Sequence, residues 1–217
     1  MATDVEGTIM STSEEVPKML NVLNWAYDKC LKGLPGSATP QQIAEEYKNK
    51  YGEIDTAIDR LISWQVAKCA TSGFLTGLGG AITLPVAIPA ELAVSLYINM
   101  RMVAAIAHLY GHDLHDDHTR TAVFACMVGS GLEEVLSKSG INIANKFAMA
   151  QLNRKVPREV LKRINREVGF RLVTKTGKRG AIVLSKVVPL AGGLVGGAIS
   201  GVGCHAIGRT AKKFLAA

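Results

Sequence analysis

Two stretches of 22 residues, 69–90 and 187–208, contain no Asp, Glu, Lys or Arg. Each is as long as the roughly 20 apolar residues that cross the hydrocarbon core of a bilayer, so each must be buried within protein or meet lipid. The first argues against one continuous span. Pro85 and Pro89 each remove a helical hydrogen bond, and Gly73, Gly77, Gly79 and Gly80 lower helix propensity. This run is predicted to break into a buried hairpin or a re-entrant loop. The second run carries Gly192, Gly193, Gly196, Gly197 and Gly201, which make G-x-x-x-G pairs at 192/196, 193/197 and 197/201. That spacing lets a second helix approach to backbone contact, either in lipid or in a tightly packed core.

Helical signals fill the remainder. Thr12 with Glu15 reads as a capping box ahead of Val16, Met19, Leu20, Leu23 and Tyr27, and Gly33 closes that helix. Thr39 with Pro40 and Gln42 repeats the signal for a helix ending at Gly52. A third helix starts near Asp55 and places Ile54, Ile58, Leu61, Ile62 and Gln65 on one face. A fourth carries Glu91, Leu92, Val94, Leu96, Tyr97, Met100 and Val103, and its Glu91 and Arg101 must be paired or exposed, because a lone buried charge is expensive. Beyond a polar loop at 111–118, one helix is predicted from Asp117 to Gly140, with a further apolar rhythm through Ile143, Phe147 and Leu152. No strand-like alternation appears. The chain length suits one all-α domain, divided here into a tail at 1–14 and a helical domain at 15–214.

Charge is distributed unevenly. Residues 1–153 hold 11 Lys/Arg against 16 Asp/Glu, whereas residues 154–217 hold 14 against 2, so the two parts carry −5 and +12. Ten of those cations fall between Arg154 and Arg179. Pro157 is a helix start, after which Val160, Leu161, Ile164 and Val168 form a narrow stripe among Arg158, Lys162, Arg163 and Arg166. A basic amphipathic helix of this kind combines attraction to anionic headgroups with shallow insertion. Arg154, Lys155, Arg158, Lys162, Arg163, Arg166, Lys175, Lys178 and Arg179 are therefore the candidate contacts for lipid or a membrane partner. Nucleic acid is not the expected partner: Phe170 is the one aromatic residue between Arg154 and Arg179, which leaves no stacking platform.

Ordered runs along the chain resemble the EcsC protein family: 31–36 (LKGLPG), 72–80 (SGFLTGLGG), 84–90 (LPVAIPA), 101–107 (RMVAAIA), 164–165, 168–172 (VGFRL), 174–175, and 188–193 (VPLAGG) with Gly196-Gly197. The resemblance spans about residues 15–214. It implies a compact helical domain associated with membrane processes and implies no reaction. Ser200 stands where the family often carries Asp, and His205 stands near a position that is often basic.

Sequences with catalytic or ligand-binding connotations fit less well. Gly203 to Thr210 has phosphate-loop spacing with Arg209 in place of Lys, but no strand precedes it. The run 77–82 lacks the third glycine of a dinucleotide fingerprint. Ser130 stands in Gly-Ser-Gly, outside the nucleophile-elbow pattern, and Glu133 and Glu134, being adjacent, point in different directions on a helix. His108, His112, His115 and His118, among Asp113, Asp116 and Asp117, are a chemically reasonable ligand set for a divalent metal. The four cysteines form no C-x-x-C pair and are read as reduced thiols, and the acidic N-terminus lacks the basic start of a secretory signal. The expectation is a non-enzymatic protein without cofactor, on the cytoplasmic face of a membrane, binding anionic lipid or a membrane protein. An integral or pore-forming protein built on the two uncharged runs, and a metal-dependent enzyme built on the histidines, are the alternatives.

Overall fold

The computed structural model describes residues 3–70, 90–141, 156–184 and 192–216, with side-chain surroundings for 15–68, 94–141, 156–174 and 201–216. These residues form eight α-helices and no strand: α1 (Thr3–Lys32), α2 (Pro40–Tyr51), α3 (Ile54–Ala70), α4 (Ala90–Leu109), α5 (Asp117–Cys126), α6 (Leu132–Lys138), α7 (Arg158–Leu184) and α8 (Gly192–Leu215). A single 3₁₀ turn, Gly129–Gly131, joins α5 to α6.

The centre of the fold is α4. Every residue from Leu96 to Ala107 is buried, as expected of a helix that is apolar on all sides. It contacts α1, α2, α3, α5 and α8, and α7 lies outside α1, α5 and α6. Helix α8 lies on α3, α4, α5 and the 3₁₀ turn, with one face open, where Val202 is 72% exposed. The hairpin expected at 69–90 lies almost wholly outside the described residues, with Gly73, Gly77 and Gly80.

Local signals are realised where a side chain satisfies a helix end. The Thr39 hydroxyl accepts from the Gln42 N–H at 3.3 Å and the Gln42 side chain accepts from the Thr39 N–H at 2.9 Å, so the capping box at α2 is complete. Gly33 and Gly52 take the positive φ, 75° and 72°, at which a helix stops. The Thr12 cap is overturned, because Thr12 lies inside α1, whose backbone is helical from Thr3 and through the boundary proposed at 14/15. Ile54, assigned to the buried face of α3, is exposed at its first residue, while Ile58, Leu61, Ile62 and Gln65 are buried. The single helix expected over 117–140 is two helices, since Gly129 at φ 63° breaks the ladder and starts the 3₁₀ turn.

Gly208 lets α8 approach α3 closely: a Cβ at that position would stand 2.8 Å from Ile62 Cγ1 and 3.0 Å from Ile62 Cγ2, so any side chain there forces Ile62 to shift. Gly201 is buried in α8. Gly192, Gly193, Gly196 and Gly197 are helical there, and their surroundings lie outside the described side chains.

Candidate cationic face

Pro157 immediately precedes helix α7, and its carbonyl accepts from the Val160 and Leu161 N–H groups at 2.9 and 3.3 Å. Of the expected apolar stripe, Leu161, Ile164 and Val168 are buried with Leu172 one turn on, Val160 is half-buried, and α7 packs on α1 and α5. Placing Leu161, Ile164 and Val168 in lipid would uncover the core. At about 100° per residue, the arc of Arg158, Lys162, Arg166 and Arg163 is centred roughly opposite that stripe. All four side chains are exposed. Phe170, 45% exposed, is the large apolar side chain open to solvent on the described part of α7.

Of the other candidate contacts, Arg154 and Lys155 lie outside the described residues, and Lys175, Lys178 and Arg179 are on α7 with side chains outside the described set. The fold neutralises several cations of the C-terminal part. On α8, Arg209 stands 3.5 Å from Asp59 and Lys212 stands 2.8 Å from Asp59 and 3.8 Å from Asp55. Arg171 is ion-paired to Glu134, which also holds Lys138 at 2.9 Å. Hydrogen bonds from Lys138 and Arg171 hold the exposed Glu134 carboxyl at about 2, well below the usual carboxylate range.

Arg101 is buried in α4. It donates to the Ser37 hydroxyl and lies 5.7 Å from the Tyr97 ring centroid. The expected polar partner is thus a hydroxyl with an aromatic face, and no carboxylate among the described residues pairs with it. The Glu91 side chain lies outside that set.

The histidines do not converge. His112 Nε2 donates to the Leu215 carbonyl at 2.8 Å, tying the 111–116 loop to the end of α8. His118 lies with Nδ1 3.4 Å from Asp116 and Nε2 3.3 Å from the Val156 carbonyl. Asp116 is the N-cap of α5. Burial works against its ionisation, but hydrogen bonds from Thr119 and His118 outweigh this and hold its carboxyl below the ordinary value. Among the described residues, no group of three or more His, Cys, Asp or Glu is arranged to hold a metal ion. Likewise, no helix of the described residues is long and apolar enough to cross a membrane. The Gly203 to Thr210 segment is helical throughout, so it forms no phosphate loop. Ser130 is exposed in the 3₁₀ turn.

Sequence reasoning missed Arg120, which the fold places beside the cationic arc. Its guanidinium stands 5.3 Å from the Tyr27 ring centroid and 5.7 Å from that of Phe124, and Nη2 donates to Asn24 at 2.8 Å. The i,i+4 spacing of Arg120 and Phe124 was legible; Asn24 and Tyr27 come from α1.

The sequence profile of the EcsC protein family matches residues 7–216, nearly the whole chain. No curated protein matches the chain. No solved structure matches it.

Proposed function

The chain belongs to the EcsC protein family, and from that premise we propose that it is a non-catalytic peripheral protein that docks on anionic membrane surfaces through α7. One observation carries the reading: Arg158, Lys162, Arg163 and Arg166 form an exposed arc on a helix whose apolar side is spent on the core. Such a helix has most of its apolar stripe committed to the core, so recruitment is electrostatic. Each cation near an anionic bilayer contributes about 1 kcal/mol, so four together give roughly a thousandfold partition, screened beyond a Debye length of about 8–10 Å. An acidic face on a membrane protein would offer the same complementarity. The cytoplasmic leaflet, where anionic lipid is concentrated, is the matching surface.

The test is flotation with phosphatidylserine vesicles. Replacing Arg158, Lys162, Arg163 and Arg166 together with Gln should abolish flotation at unchanged helix content, and wild-type binding should fall steeply with salt. Binding that ignores salt, or a quadruple variant that floats like the parent, would reject the proposal and point to the uncharged runs as the membrane contact.

A further inference from the structure

Beside the cationic arc, a cleft of about 250 Å³ opens between α1, α5 and α7. Its walls differ in rigidity. On one side Arg120 is held: its guanidinium lies near the Tyr27 and Phe124 rings, and Nη2 donates to Asn24 at 2.8 Å and to Asp28 at 3.4 Å. Both bonds are made by Nη2, so they orient the planar group without engaging Nη1. On the other side Arg158 and Lys162, one turn apart on α7, are long exposed side chains that can close over an occupant. Thr121 and Asn165 add uncharged hydrogen-bonding groups, themselves joined by an Asn165 Nδ2 to Thr121 Oγ1 bond at 3.4 Å. The carboxylate in the lining is Asp117, exposed at the rim and 3.8 Å from Arg158, and behind it the exposed Asp28 is ion-paired to Arg120 at 3.4 Å, so Lys162 is the lining cation without a carboxylate in either pair.

We infer that this cleft binds a phosphate monoester, the chemistry shared by a phosphatidic-acid headgroup and a soluble glycerol phosphate. The inference deepens the membrane-docking reading by adding headgroup choice to charge. A monoester carries about −1.5 to −2 charge at neutral pH and three acceptor oxygens. With Nη2 engaged and Nε buried, Nη1 of Arg120 is the group left to donate to the phosphate, and the mobile Arg158 and Lys162 supply donors to its other oxygens. The serine headgroup bears an ammonium and a carboxylate beside its diester and makes a poorer fit among three cations. The aromatic support behind Arg120 gives this open cleft one fixed wall, which the outer arc lacks.

The experiment compares two variants that each remove two cations. Arg158→Gln with Lys162→Gln alters the cleft; Arg163→Gln with Arg166→Gln alters the arc outside it. Each full-length protein is titrated with phosphatidylcholine vesicles carrying phosphatidic acid or phosphatidylserine at matched surface charge, and with glycerol 3-phosphate alone. The wild type should favour phosphatidic acid by about tenfold or more, the size of one charge-assisted hydrogen bond. The cleft variant should lose that preference and the outer variant keep it while binding both vesicles more weakly. Competition by millimolar glycerol 3-phosphate assigns the site to monoesters from either source; binding of the soluble ester without vesicle binding assigns it to the soluble source and rejects membrane docking alone. Arg120→Lys, which keeps the charge and loses the guanidinium oriented by Asn24, should lower the preference with helix content unchanged. Equal losses for the two double variants, or no monoester preference in the wild type, overturn the inference while leaving the electrostatic reading intact.

Discussion

Helix α8 offers a matched pair of substitutions whose signs should oppose each other. Gly203 and Gly208 both lie within α8, five positions apart in the same helix, but a Cβ added at Gly203 meets nothing within 4 Å, whereas at Gly208 it would stand 2.8 Å from Ile62 Cγ1 and 3.0 Å from Cγ2. Either Gly→Ala change gains about 0.8–1 kcal/mol of helix propensity. At Gly208 that gain is set against overpacking of about 1–3 kcal/mol, because the offended atoms belong to a β-branched side chain with few alternative rotamers in a helix. The propensity gain is common to both, so the difference between the two variants isolates the contact: G203A should exceed G208A in stability by about 1–3 kcal/mol. Urea unfolding followed by circular dichroism at 222 nm reads this directly. As a control, Ile62→Ala removes both γ carbons, so G208A should cost less in the I62A background than in the parent. Equal stabilities of G203A and G208A, or a G208A cost unchanged by I62A, would refute close approach of α8 to α3 at this point.

Two further outcomes follow from charge and burial. Glu134 has its folded-state carboxyl held at about 2 against an ordinary value of 4.5, so the stability it contributes is present above pH 4.5 and lost as pH falls toward 2. The difference in urea midpoint between the parent and E134Q should shrink across that window; a constant difference would contradict the Lys138–Glu134–Arg171 network. Burial pushes the Cys30 thiol up to about 12 and raises that of Cys126 further, so both should resist iodoacetamide at pH 8 in the native state and label in urea, as peptide mass spectrometry resolves. Rapid native labelling at either would place them outside the core.

Helical content, the α2 cap and the basic arc were all legible in the sequence, because each depends on residues within a few positions of one another. Thr39, Pro40 and Gln42 contain the whole α2 start, and the 3.6-residue rhythm of 158–172 already separates the cations from Leu161, Ile164 and Val168. Tertiary packing decided what those local patterns could not. The described core is organised on α4, whose burial on every side leaves no amphipathic stripe to read. The sequence-level charge of +12 beyond residue 153 overstated what is exposed to a partner, since Asp55, Asp59 and Glu134 reach across long sequence separations to Arg209, Lys212 and Arg171. The phosphate cleft was hidden for the same reason. Arg120 becomes an oriented cation only when α1 brings Asn24 and Tyr27 to it and α7 brings Arg158 and Lys162, contacts that no local periodicity encodes.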